Sequence, residues 1–519
     1  MRKTILSLVF LVGICTSTST LAQQLAKGVV YEDVNKNNKL DSKDKRLPNV
    51  QVSNGKEVVI TNQKGEYQIQ VDNETILFVI KPRNYKVPIN EYNQPQFYYI
   101  HKPEGSPKLE YPGSEPTGQL PKSIDFALLS SPENDKFSAL IFGDPQAYTE
   151  EEMQYFSKGI VDEVKGIKGM EFGLSLGDLV GNDLSLHPSY IKTIAKVGLP
   201  WYNLIGNHDM NFDVKDDKYS DETFEKNFGP SNYSYNVGNT HFIILDDILY
   251  PDPRGGKSYW GGFRPDQLEF IKNDLKYVPK DKLIVLAFHI PLRDIRTEDK
   301  KELFNLLKDF PNTLSMSAHT HFQEQIFYKD EQDWKQEKPH HEYNVGTTSG
   351  DWYSGPKDVN GIPTSTMRDG TPKGYAFLHI DGNQYKFDYK VAKSPKERQI
   401  DLYHTKKVEE GVKNRAFLYA NFFMGHKDDK VEYRVDNGAW KAMKWEETID
   451  YNYIETIIKI DNAEITSIGK RPSIPEVSKH IWSVRLPNKL KVGIHQIEVR
   501  ATDLYGNVFT EKSSFEVIK

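Results

Sequence analysis

Cysteine is almost absent: Cys15 is the only one in a chain of 519 residues. Once the N-terminal segment is removed, disulfides, thiolate nucleophiles and thiolate metal sites are all excluded. Any metal must then be held by His, Asp, Glu, Asn or Gln. Long apolar runs are missing as well, since residues 5–14 are too few to span a bilayer and no later stretch is long enough. Nor is there an excess of basic charge. Lys and Arg number 67 against 73 Asp and Glu, a net charge of −6 that becomes more acidic without Arg2 and Lys3. That balance argues against nucleic acid as the main partner.

The first 22 residues carry a targeting pattern. Arg2 and Lys3 precede the apolar stretch, and "STLAQQ" offers small residues before a cut after Ala22. Residues 1–22 are thus expected to be a removable signal peptide, the mature chain exported to the periplasm or cell surface without a transmembrane segment. Lipid attachment at Cys15 is the alternative, although Ile14 stands where a small residue normally precedes a lipidated cysteine. The length implies roughly two to four domains.

Residues 25–128 are β-rich. "KGVVYED", "NVQVSNG", "EVVITN" and "EYQIQV" are short alternating runs cut by Asn-Gly and Lys-Gly turns, as expected of a small β-sandwich. Within them "DVNKNNKLDSKD" sets Asp33, Asn35, Asn37, Asp41 and Asp44 at positions 1, 3, 5, 9 and 12 of a loop, an EF-hand-like spacing for calcium. Asn38 replaces the usual turn glycine and Asp44 the usual glutamate. An ordinary polar Asn/Asp loop is the other reading. The stretch resembles the B-type repeats of bacterial surface adhesins.

Residues 393–519 again alternate in period two ("KVEYRVDNG", "GIHQIEVRATD", "SSFEVIK"), predicting an antiparallel β-sandwich. The closing stretch resembles bacterial immunoglobulin-like or fibronectin-like modules.

Residues 135–392 differ, because apolar runs alternate there with helical patterns. "TEEEMQYFSKGIVDEV" opens with the capping pair Thr149 and Glu152 and sets Met153, Phe156, Ile160 and Val164 on one face. The region is α/β. Polar groups follow each apolar run: Asp144 and Gln146, then Asp178, then Asn207 and His208, then His289, then His319 and His321. Ligands in open α/β sheets bind beyond the carboxyl ends of strands, so these side chains can converge on one crevice.

The ordered set "GDPQ", "GDLVGND", "GNHD", "FHIP" and "AHTH" resembles the calcineurin-like metallophosphoesterases, including the hairpin "YSYNVGNTHFIILDD". The three-part layout is similar to a secreted bacterial subgroup with its own N- and C-terminal β-domains. The resemblance implies a central fold of two packed mixed sheets flanked by helices, holding two metal ions. Asp144 and His321 would bind the first, Asn207, His289 and His319 the second, and Asp178 both, with His208 as general acid. Gln146 stands where the family has His, an oxygen ligand that suits Mn, Fe or Mg better than a nitrogen-rich Zn site. Ala318 replaces a glycine. The position three residues past the bridging aspartate is Gly181, leaving Asp183 and Asp209 as candidates to orient His208.

"GTTSGDWYSG" suggests a pocket wall made by Trp352 and Tyr353, with Asp351, Asp369 and Lys373 available to read polar groups; structured loops covering the sheet are the bland reading. The implied function is an exported hydrolase of phosphate mono- or diesters, acting on a phosphorylated small molecule or a glycan- or lipid-linked phosphate. The alternative is a metal-binding, adhesin-like surface protein without useful turnover. Oligomeric state is not legible.

Overall fold

In the computed structural model, which describes residues 24–256, 258–411, 415–463, 469–487 and 489–519, the α/β region is built on two mixed sheets. The expected signal peptide, residues 1–22, lies outside the described residues. The strands are β1 (Lys136–Phe142), β2 (Phe172–Leu176), β3 (Trp201–Leu204), β4 (Tyr233–Val237), β5 (Thr240–Ile244), β6 (Leu283–Ala287), β7 (Thr313–Ser317), β8 (Glu324–Tyr328), β9 (His340–Asn344), β10 (Gly374–Asp381) and β11 (Gln384–Val391). One sheet has the order β3-β2-β1-β10-β11 and the other β4-β5-β6-β7-β9-β8. The inner strands run parallel, β1 to β3 in one sheet and β5, β6, β7 and β9 in the other, while β4, β8, β10 and β11 pair antiparallel.

Parallel strands covered on both faces need continuous apolar runs, and β2, β3, β5, β6 and β7 are buried along their whole length. The sheets face each other through aromatic rings. Phe172 lies 5.6 Å from Tyr235 and 5.3 Å from Phe242, and Tyr202 stacks on Tyr235 at 4.2 Å. Helices cover the outer faces: α1 (Glu150–Phe156), α2 (His187–Ile194), α3 (Glu222–Phe228), α4 (Pro265–Leu275) and α5 (Thr297–Leu307). Thr149 caps α1 by accepting from the Glu152 backbone N–H, and Met153 and Phe156 are buried. The expected apolar face continues past α1 through a π turn, Ser157–Val161, to Ile160 and Val164.

The two flanking regions are rich in β-strands but attach differently. In the N-terminal part, Gln24–Glu32 pairs antiparallel with Glu66–Val71 and parallel with Phe126–Ser130, and a second sheet joins Val58–Ile60, Gln51–Ser53, Thr75–Val79 and Tyr98–His101. Its core is not separate. Val30, Val52, Ile69 and Leu77 belong to the same apolar cluster as the central sheets, and Phe97 meets Tyr233 at 5.1 Å.

The C-terminal part has its own core, formed by Leu418, Trp482, Val499, Phe515 and their neighbours between a four-stranded and a five-stranded sheet. It departs from an all-antiparallel reading in two ways. A helix, α6 (Tyr451–Asp461), is inserted, capped by Asp450, and Lys407–Glu409 pairs parallel with Val508–Ile518. The amphipathic stretch Tyr453 to Ile457 carries period-four apolar spacing that strand alternation elsewhere had obscured.

Candidate metal centre

Each candidate ligand stands two to four residues beyond a strand: Asp144 and Gln146 after β1, Asp178 after β2, Asn207 after β3, His289 after β6, His319 and His321 after β7. The topology lines these strand ends up, and the side chains meet. His289 Nε2 lies 3.1 Å from Asn207 Oδ1, 3.3 Å from Asp178 Oδ2 and 3.2 Å from His319 Nδ1. His321 Nε2 lies 3.2 Å from Asp144 Oδ2, and Gln146 Nε2 donates to Asp178 Oδ2 at 3.1 Å. Asp178, His289 and His319 each offer a ligand atom within 4.8 Å of the others. Holding so many polar groups at strand ends distorts the backbone. Asp144, Gln146, Asp178, His319 and His321 all have φ between 35° and 67°, a region that L side chains rarely adopt. Ala318 is not among the residues with positive φ, so its methyl group is unstrained where the family has glycine.

The electrostatics fit a cation. Burial opposes charge on Asp178, but the His289 and His208 imidazoles hold its carboxyl below the usual range. Burial also opposes a charged His289, yet Asp178 and Asp144 raise it to about 10, whereas burial and the neighbouring His289 lower His319 to about 4. Asp144 Oδ2 and Gln146 Oε1 are buried acceptors without a hydrogen bond. Among the described residues no lysine or arginine pairs with Asp144 or Asp178. This donor set of carboxylates, amide oxygens and imidazoles satisfies what hard or borderline divalent metals require. The other ring nitrogens are anchored, with His289 Nδ1 on Leu176 O at 2.8 Å and His321 Nδ1 on Gly350 O at 2.6 Å, which fixes the nitrogen that faces inward.

Asn207 and His208 take separate directions because Gly206 lets two loops touch. A Cβ there would lie 2.0 Å from Asp178 N, so close approach rather than a positive φ is what requires glycine. His208 N donates to Asp178 Oδ1 at 2.9 Å, and His208 Nδ1 lies 2.6 Å from Asn182 Oδ1. Asn182 therefore orients His208, correcting the expectation of Asp183 or Asp209. Asp183 is occupied with Ser185. Asp209 is fully buried and accepts from Leu179, Val180 and Gly206 backbone N–H groups, stapling the second and third ligand loops together. Asn182 is the fourth residue past Asp178, and "GDLVGND" was its only visible signal.

Trp352 lies over His321, with ring centroids 4.2 Å apart, and the Arg368 guanidinium is 5.5 Å from its ring. Tyr353 does not share a pocket wall with it: the ring is buried and its hydroxyl donates to Pro145 O, which supports the first ligand loop from behind. Asp351, Asp369 and Lys373 are likewise structural. Asp351 Oδ2 accepts from Ser354 Oγ and Ser473 N, Asp369 Oδ2 accepts from Gln323 N and faces His480 Nε2 at 2.9 Å, and Lys373 Nζ donates to Pro363 O. Two aromatics with no sequence signal stand at the centre instead. Tyr148 packs edge-on to His208 at 5.9 Å and Tyr259 to His319 at 6.1 Å. Asp247 was also missed; it accepts from the backbone N–H groups of His289 and Ile290.

In the N-terminal loop, Asp33, Asn35, Asn37, Asp41 and Asp44 do come together, but on the loop's own donors. Asp33 accepts from Asn37 N and Asn38 N, Asp44 from Val34 N and Asp41 N, and Asp41 from both amide side chains. Asn38 takes φ 55°, as the residue in the glycine position must.

Residues 137–323 match the family model for calcineurin-like phosphoesterase, residues 34–111 that for the N terminal of calcineurin-like phosphoesterase, and residues 342–509 that for its C terminal. No curated protein matches the chain. Among solved structures, a purple acid phosphatase from yellow lupin (Lupinus luteus) seeds is similar over 66% of this chain and 67% of its own, with 12% identity and a TM-score of 0.35. Vps29 of Chaetomium thermophilum is similar over 74% of this chain and 100% of its own, with 11% identity and a TM-score of 0.21.

Proposed function

The chain belongs to the calcineurin-like phosphoesterases, metal-dependent hydrolases of phosphate esters, and from that premise we propose a two-metal hydrolysis with His208 as general acid. Asp144, His321 and the Gln146 amide oxygen would hold one cation, Asn207, His289 and His319 the other, with Asp178 serving both. The observation that carries this reading is the convergence of these groups around buried acceptors that have no hydrogen bond. Bound there, two cations would supply Lewis acidity, activating a water near neutral pH and offsetting the phosphoryl charge.

The protein's own residues do the rest. With Nδ1–H on Asn182 Oδ1, His208 keeps Nε2 for the leaving group, to which a protonated imidazole can deliver its proton. A scaffold that merely bound metal would have no need of a histidine anchored in this way, which favours turnover over the adhesin-like alternative. The oxygen-rich first site supports Mn, Fe or Mg over Zn. The substrate class is a phosphate mono- or diester. We further read the chain as exported, which N-terminal sequencing of the secreted protein would test. Among the described residues no helix is long and apolar enough to cross a membrane.

The test is hydrolysis of aryl phosphate, bis-aryl phosphate, nucleotides and sugar phosphates by metal-stripped protein reconstituted with Mn, Fe, Zn or Mg. Asp178→Asn should abolish turnover. His208→Ala should lower kcat by about 10²–10⁴-fold with metal content unchanged. Protein carrying two metals yet inert toward the whole panel would sink the hydrolase reading.

A further inference from the structure

Tyr148 stands two residues beyond Gln146, at the junction of the first ligand loop and α1. Its backbone N–H donates to Glu152 Oε2 at 2.7 Å, so the cap of α1 fixes its position. Its ring occupies the space over Gly181, where a Cβ would lie 2.5 Å from the ring carbons, and packs edge-on to His208. The hydroxyl oxygen is 3.5 Å from Gln146 Nε2, itself 3.1 Å from Asp178 Oδ2. The phenol thus ends between His208 and the candidate ligands. Its proton has no acceptor among the described residues, and the Arg368 guanidinium is tied to Thr320 O and Glu476.

We propose that Tyr148 is a catalytic residue whose hydroxyl donates a hydrogen bond to a nonbridging oxygen of the phosphoryl group under attack. A group attacked from the Asp178 side and departing toward His208 must lie between them, and that is where the hydroxyl points. A phenol, with an ordinary pKa of about 10, remains a donor at neutral pH. A fixed donor aimed at developing charge needs no reorganisation during the reaction. The ring also covers Gly181. This inference rests on the phosphoesterase reading above.

The experiment compares wild type with Tyr148→Phe, which retains the ring over Gly181, after reconstitution with Mn. Metal content, steady-state turnover of the best panel substrate, and binding of orthovanadate as a mimic of the pentacoordinate phosphoryl group are measured on both. Expected are unchanged metal content, kcat/KM lower by about 10²–10³-fold, and vanadate binding weakened in parallel. Unchanged turnover and vanadate affinity overturn the proposal. Loss of a metal ion in Tyr148→Phe also overturns it, since the hydroxyl would then be a ligand. Wild-type protein that binds two metals but neither turns over nor binds vanadate overturns the phosphoesterase reading and this inference with it.

Discussion

His208 and Asn182 illustrate how little chain is needed to orient an imidazole once the backbone is held. The Asn182 amide accepts from Nδ1, and its own N–H donates to His208 O at 3.1 Å, so side chain and backbone lock together. Asn182→Ala should therefore leave metal content and KM near wild type while kcat falls about tenfold or more, as partners that orient a functional imidazole typically contribute. An unaltered kcat would assign the orientation of His208 to something else. The left-handed conformations of Asp144, Gln146, Asp178, His319 and His321 cost on the order of 1–3 kcal/mol each, and the buried strands behind them must sustain that strain.

At the scale of elements, strands deliver the candidate ligands and the turns after them decide direction. The helix pattern from Thr149 to Val164 was legible because caps and apolar spacing are local. Lys373, at the entry to β10, was not legible as a structural group. It is buried, and burial lowers its amine to about 8 from the ordinary 10.5. A depressed folded-state value means that the unfolded chain binds more protons between those limits, so wild-type stability rises with pH through that window. Lys373→Met has no such titration. Its stability relative to wild type should be greatest below pH 8 and should shrink by up to about 3 kcal/mol toward pH 10.5, measured by denaturant unfolding at several pH values. A constant difference across that range would rule out the buried charge.

At the scale of the whole molecule, the C-terminal part grips the loops that carry His321. Asp351 reaches Ser473, and Asp369 joins Gln323 to His480, which also contacts Asn421. His480→Ala removes one end of a buried pair and should cost on the order of 2–3 kcal/mol. It should also weaken the first metal site about tenfold before the second, because Gln323 follows His321 by two residues. Thermal unfolding and metal titration check both; equal loss from the two sites would argue against the link. The N-terminal part, by contrast, shares its core with the central sheets. From the sequence alone came the α/β centre, its β-rich flanks and the candidate ligands, because strand periodicity and the polar residue after each apolar run are local signals. Tertiary structure alone decided that Asn182 orients His208, that Tyr148 stands in the space over Gly181, and that Asp351, Asp369 and Tyr353 are struts. Their partners lie 122, 111 and 208 residues away, and no local pattern records a contact that exists only after the chain has folded.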